Sequence, residues 1–90
     1  MEIEVARPSQ DEIKDLGILS WPIWQKEKSR FEWFYAETEI CYFLEGRVLV
    51  EFEDGKTVSV GKGDLVTFPK DLSCIWHIES DVKKHYNFKE

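Results

Sequence analysis

The chain predicts an all-β protein, a small antiparallel β-barrel with one short N-terminal helix. Three observations carry that expectation. Short apolar runs, roughly seven or eight of them, recur at roughly 8–12-residue spacing and are closed by Gly, Pro or Asp. Asp54-Gly55 sits between two alternating runs and is the strongest hairpin signal in the chain. A single helix-start signature, Ser9-Gln10-Asp11-Glu12, stands near the N-terminus.

Taken in order, Ile3 and Val5 alternate with Glu2 and Glu4, which reads as a strand over Met1–Arg7 ended by Pro8. In the capping box that follows, Ser9 accepts from the Glu12 amide and Glu12 reaches back to the Ser9 amide. About two helical turns follow, with Ile13 and Leu16 on the apolar side and Gly17 closing them. From Leu19 the pattern is strand. Trp21–Gln25 is short and aromatic, and Pro22 places it at an edge. Phe31, Trp33 and Tyr35 share one face of the next strand, with Glu32 and Phe34 opposite. Ile40–Leu44 is almost wholly apolar, as expected where both faces are covered, and Glu45-Gly46 reads as a turn. Val48, Val50 and Phe52 alternate with Leu49, Glu51 and Glu53, and Asp54-Gly55 predicts a type I′ turn. Val58 and Val60 return along the partner strand. Gly61-Lys62-Gly63-Asp64 is a second tight turn, and Leu65–Phe68, Ser73–Ile78 and Val82–Phe88 read as three further strands.

Length and composition narrow the class. The 90 residues read as one domain, 1–90, and a chain this short buries only about 60% of its unfolded surface. Large side chains must therefore supply the core: 6 Phe, 4 Trp and 3 Tyr. The net charge of −6 opposes nucleic-acid binding, which depends on Lys and Arg neutralising phosphates. No run approaches the ~18 apolar residues of a membrane span, and no secretory leader pattern is present. Cys41 and Cys74 are too few for the disulfide framework of a secreted mini-domain. They read as reduced thiols of a cytoplasmic protein, with one disulfide between them as the alternative.

Two segments carry a resemblance, Glu39-x6-Gly46 and Gly63-x5-Pro69. In this order they are similar to the two halves of the cupin signature, in which three His and one Glu hold a metal inside a small β-barrel. Here the Glu is Glu39. Trp33 and Tyr35 stand at the first two His positions, Asp71 at a Gly, Cys74 at the third His and Ile78 at an Asn. Further strings extend the match over about residues 19–88: Phe31-x-Trp33, Glu39 through Val48, Asp54-Gly55, Gly63-Asp64, Phe68-Pro69, Trp76 and Lys84-His85-Tyr86. They resemble the small single-domain cupins of the ureidoglycine aminohydrolase cupin-domain group. That resemblance implies a jelly-roll-like barrel. The enzyme naming the group uses manganese to release ammonia from ureidoglycine, and this chain lacks the imidazoles of such a ligand set.

Residues two apart on a strand face the same way. If Glu39 points inward, Cys41 and Phe43 do too; Trp33 follows Tyr35, and Trp76 follows Cys74. The expected site is therefore Trp33, Tyr35, Glu39, Cys41, Cys74 and Trp76, with Trp24 and Tyr86 as further members. No cation stands beside Glu39 in this scheme. Its carboxylate is a hydrogen-bond acceptor for Tyr35 or Trp33, a contact to a ligand, a proton-transfer group and candidate catalytic residue, or a metal ligand. No cofactor is implied; a divalent metal on Glu39, Cys41 and Cys74 is the weaker alternative. A thiol nucleophile with Glu39 as base lacks an inward His. His77 and His85 are out of phase and read as surface residues. Lys83 and Lys84 read as solvated, although one Lys near the rim could hold a carboxylate. Lys26-Glu27-Lys28 reads as a solvent-exposed loop or edge. The aromatics either fill the core or wall a pocket for a small polar or cationic ligand.

The resulting expectation is a barrel that binds a small polar metabolite without a complete metal-ligand set. The rivals are a metal-dependent aminohydrolase-like or isomerase-like enzyme, and a structural module that forms a homodimer through the Trp21–Gln25 edge.

Overall fold

Two long strands of alternating polarity organise the structure, a computed structural model that describes residues 3–89. The order is β1 (Glu4–Ala6), α1 (Gln10–Asp15), a 3-10 turn (Ile18–Ser20), β2 (Ile23–Lys26), β3 (Ser29–Phe34), β4 (Thr38–Phe52), β5 (Thr57–Gly61), β6 (Leu65–Phe68) and β7 (Ser73–Lys89). β4 and β7 run antiparallel along most of their length, from Thr38↔Lys89 to Phe52↔Cys74. The first half of β4 also pairs with β6, and its second half with β5. The first half of β7 pairs with β3 and its second half with β2, while β1 extends the sheet from β6. All pairings are antiparallel, and the two long strands belong to both halves of the barrel.

The corner between the halves is the main departure from the sequence expectation. Glu45-Gly46 is not a turn that ends a strand. β4 continues through it with register shifts between Phe43 and Val48. Such bulges bend a strand so that it can pass from one sheet to another. Gly46 has φ 100, and a Cβ there would lie 2.5 Å from the Asp81 carbonyl oxygen. Only glycine lets the two backbones approach this closely. For the same reason Ser73–Ile78 and Val82–Phe88 are one strand. The polar Glu79-Ser80-Asp81 between them, which reads as a break, is the exposed outside of the bend.

Other elements follow local chemistry. Both hydrogen bonds of the Ser9–Glu12 capping box form, at 3.2 and 3.0 Å. Ile13 is buried, but Leu16 is more than half exposed because the helix ends before a second apolar row is needed. Met1 and Glu2 of the first expected strand lie outside the described residues, and β1 covers only Glu4–Ala6. β2 begins after Pro22 and is a terminal strand of the sheet, as the proline predicts.

The Asp54-Gly55 hairpin forms, but not as type I′, because Asp54 keeps a negative φ. The Gly55 amide instead donates to the Phe52 carbonyl at 2.9 Å, and Gly55 alone takes φ 86. That is a type I turn with a glycine bulge, a common solution for a three-residue hairpin loop. The Gly61–Asp64 turn closes with a 2.9 Å bond from the Asp64 amide to the Gly61 carbonyl. Inside the barrel, Phe43, Val48, Val50, Val60, Val66, Phe68 and Trp76 are fully buried. No helix among the described residues is long and apolar enough to cross a membrane.

Two backbone sites generate opposite expectations. Gly46→Ala should destabilise the protein by at least ~2 kcal/mol, through positive-φ strain and the clash with Asp81. Asp71 has φ 72 where the cupin pattern places Gly. Asp71→Gly should leave stability unchanged or raise it by up to ~1 kcal/mol. Urea midpoints of the two variants check both; a Gly46→Ala midpoint equal to wild type would refute the corner assignment.

Candidate functional site

Strand parity places the site. β4 turns Glu39, Cys41 and Phe43 inward, and all three are buried. β7 turns Cys74, Trp76, Val82 and Lys84 inward. Tyr35 lies just past β3; its amide donates to the Leu72 carbonyl at 2.9 Å and its ring stacks on Phe68 at 4.7 Å. Trp33, paired opposite Cys74, sits at the mouth and is 48% exposed.

These side chains enclose a pocket of about 200 Å³ lined by Trp24, Phe31, Trp33, Tyr35, Glu39, Trp76, Lys84, Tyr86 and Phe88. Four of the six expected site residues share it: Trp33, Tyr35, Glu39 and Trp76. Trp24 and Tyr86 join as expected of further members. Cys41 lies in the core beneath the pocket, in contact with Glu39, and Cys74 borders a different cleft between the ends of β3 and β4. Both thiols are free. That second cleft is larger, about 600 Å³, but it is more open and edged by Glu32, Glu51 and Glu53. The smaller pocket is the better candidate because it alone contains a buried ion pair.

Lys84 is the pocket side chain that local reading misses. It is buried rather than solvated, at 5% exposure. Its Nζ donates to Glu39 Oε2 at 2.9 Å and to Cys41 Sγ at 3.1 Å. Cys41 Sγ also donates to Glu39 Oε2, at 2.8 Å. Glu39 therefore does have a cation beside it. The ammonium is held 4.9 and 4.8 Å from the ring centroids of Trp24 and Trp76, within cation–π range. A signal for this was present: Lys84 shares parity with Val82 and Tyr86, one of the expected inward residues. Lys83 alternates to the other face and is partly exposed.

The electrostatics follow from burial. Desolvation pulls the Lys84 ammonium toward neutrality, but the Cys41 sulfur and the Glu39 carboxylate outweigh it, so its pKa is raised. Desolvation pushes the Cys41 thiol up to about 12, with the Lys84 charge opposing. Burial also raises Cys74, to about 11. The Tyr35 phenol is raised well above its ordinary value, chiefly by desolvation and then by Cys41 and Glu39. Trp76 offsets part of that without reaching hydrogen-bond geometry. Tyr35 Oη and Trp76 Nε1 are both buried with no hydrogen-bond partner among the described residues.

A metal does not fit this donor set. No group of three His, Cys, Asp or Glu is placed to hold one among the described residues. The Lys84 ammonium contacts the same carboxylate that a cupin metal would require. His77 faces outward as expected and pairs with Glu51 at 2.9 Å. His85 also faces away from the pocket, yet it is not a surface residue. The segment entering β2 covers it, and its Nδ1 lies 2.8 Å from the Trp21 carbonyl oxygen.

Two outcomes test the pair. Lys84→Met should cost about 3–5 kcal/mol, because it strands a buried carboxylate, and Lys84→Met with Glu39→Gln should recover much of that loss. Strictly additive urea-unfolding energies would contradict the pairing. The pH dependence has a defined sign. Cys41, Cys74, Tyr35 and Lys84 all have raised pKa values, so the native state retains protons that the unfolded chain releases. Stability is full below the ordinary thiol value and declines from about pH 8.5 upward, by up to ~1.4 kcal/mol per pH unit for each of the two thiols, with Tyr35 and Lys84 adding only above about pH 10. A urea midpoint that holds constant from pH 8 to 10.5 would contradict this.

Comparison with known proteins places the chain. A DUF861 family protein from Thermotoga maritima is 49% identical, with a TM-score of 0.95 over 98% of this chain and 100% of that one. A putative ethanolamine utilization protein Q (EutQ) from Salmonella typhimurium is 29% identical, with a TM-score of 0.66 over 73% of this chain and 53% of that one. The Clostridium difficile EutQ protein shares the fold at 21% identity, with a TM-score of 0.67 over 73% of this chain and 52% of that one. The chain thus spans about half the length of each EutQ protein. No curated protein matches it. The pattern of the EutQ-like cupin domain covers residues 13–86, and the chain belongs to that family of cupins.

Proposed function

We propose that the chain is a metal-independent binding domain for a small polar metabolite held in the mouth of the barrel. The observation that carries this reading is the Glu39–Lys84 pair on the floor of an aromatic-walled pocket. Burying two charges in so small a core is an inefficient way to stabilise it, since apolar residues of similar volume usually do as well or better. An ion pair retained beside a cavity is more economically explained by what the cavity holds. At about 200 Å³ the pocket lies below the ~300–1,000 Å³ of drug-sized sites, so its ligand is small. Trp33 and Phe88, both about half exposed, form an apolar rim that loses water when the mouth is filled.

The resemblance to the ureidoglycine aminohydrolase group favours an enzyme instead. That reading needs a divalent metal on Glu39, and Lys84 already occupies this carboxylate. Pairing of a second copy along β2 is compatible with binding. This strand ends one side of the sheet, as β1 ends the other, and it leaves Ile23 about half exposed.

Metal content per chain, measured by mass spectrometry after incubation with manganese, zinc, iron and nickel, should stay near zero. About one equivalent, lost in Glu39→Gln, would overturn the proposal in favour of the metalloenzyme. In a metabolite screen read by tryptophan fluorescence, a true ligand should act through Trp24, Trp33 and Trp76. The signal should fall in Trp33→Ala and persist in Trp21→Ala.

A further inference from the structure

Extending the binding reading above, we propose that the pocket takes a small carboxylate with an apolar body and rejects cations. An aromatic-walled pocket with a buried carboxylate is ordinarily the design of a cation receptor. Here that seat is filled from within. Lys84 Nζ lies between Trp24 and Trp76 and bonds to Glu39 Oε2. An incoming ammonium would find the ring faces and one carboxylate oxygen taken, and would meet a like charge fixed in an apolar surround.

The pocket's donors outnumber the acceptors placed to meet them. Tyr35 Oη and Trp76 Nε1 are buried, have no hydrogen-bond partner among the described residues, and belong to residues that line the cavity. An ammonium has three hydrogens, and Lys84 bonds only Glu39 and Cys41 among the described residues. The unmet capacity is three donors on three lining residues. Buried donors are rarely left unpaired in native structures, and where they occur they call for a partner. A carboxylate has two oxygens with lone pairs enough for all three. Its bonds to the ammonium would be charge-assisted and stronger than those of a neutral carbonyl.

Glu39 does not forbid a second carboxylate. Its Oε2 already accepts from Lys84 and Cys41, so a carboxylate bound to the free hydrogen of the ammonium would have that positive charge between it and Glu39. Around these donors the walls are apolar: Trp24, Phe31, Tyr86 and Phe88. Their ring faces suit a ring or a short alkyl body, and none of them carries a charge to pair with a second ionised group. A monocarboxylate with an apolar body matches both parts of the site.

The test compares benzoate, benzamide and benzylammonium, which share one ring and differ in charge and hydrogen bonding. Titrations of the full chain, read by tryptophan fluorescence and calorimetry, should rank benzoate about tenfold or more tighter than benzamide. Benzylammonium should show no saturable binding. Tyr35→Phe should weaken benzoate about tenfold while the melting temperature holds or rises, since the lost hydroxyl has no partner among the described residues of the ligand-free protein. Preferential binding of benzylammonium overturns the carboxylate assignment and leaves the pocket reading standing. Failure of all three probes to bind overturns both. Benzoate binding that Tyr35→Phe does not change overturns the donor assignment.

Discussion

The buried contact between Glu39 and Lys84 fixes the rest of the structure. Each charge lies in an interior of aromatic and aliphatic side chains, and each is tolerable there only because the other is within 2.9 Å. One residue comes from β4 and the other from β7. A slip of one residue between these strands would turn Lys84 to the outside and leave Glu39 alone. The pair therefore selects a single register for the two strands on which the sheet is built. β5 and β6 hang from β4, β2 and β3 hang from β7, and β1 reaches the sheet only through β6.

The bend at Gly46 turns that register into a site. Before it, β4 carries Glu39 and Cys41; beyond the matching bend, β7 carries Lys84 and Tyr86. The other half of the barrel contributes Phe31 and Trp33 from β3 and Trp76 from β7. The pocket lies where the two halves face each other. Its ion pair belongs to one half, and most of its aromatic wall to the other. Trp76 bridges them, stacking on Phe31 and packing at 5.9 Å against Trp24.

Much of this was legible in the sequence, through parity and turn chemistry. With Glu39, Tyr35 and Cys74 turned inward by the resemblance, the two-residue period adds Cys41, Trp33 and Trp76, and the capping box follows from four adjacent residues. What escaped reading depends on non-local partners. Glu45-Gly46 reads as a turn because glycine usually marks one; here it marks a close approach to Asp81, thirty-five positions along the chain. Lys83-Lys84 reads as a solvated pair because nothing nearby in sequence shows that one of them meets Glu39. His85 is outward by parity, as expected, yet buried, because the loop entering β2 folds over it. The hairpin type was missed for a different reason. Asp-Gly permits both a type I′ turn and a type I turn with a bulge, and the choice rests on Asp54 keeping an ordinary φ.

The titratable groups around the pocket bear on whether it holds or transforms its ligand. Groups that transfer protons are usually poised near the working pH. Here burial drives Cys41 and Tyr35 the other way, and the Cys41 sulfur and Glu39 carboxylate hold Lys84 protonated against its own desolvation. Cys41 is held near 12, and the Tyr35 and Lys84 values are raised further above neutrality. The thiol is thus a poor nucleophile, the phenol a poor acid, and the ammonium too firmly protonated to attack a carbonyl. A metal exchanges ligands and polarises what it binds, but a tethered ammonium only donates hydrogen bonds from a fixed position. On the proposed reading, Lys84 supplies a positive charge at the floor of the barrel that orients a ligand through hydrogen bonds. The buried Glu39–Lys84 pair beside an aromatic-walled cavity is the physical ground for proposing that this cupin binds a ligand.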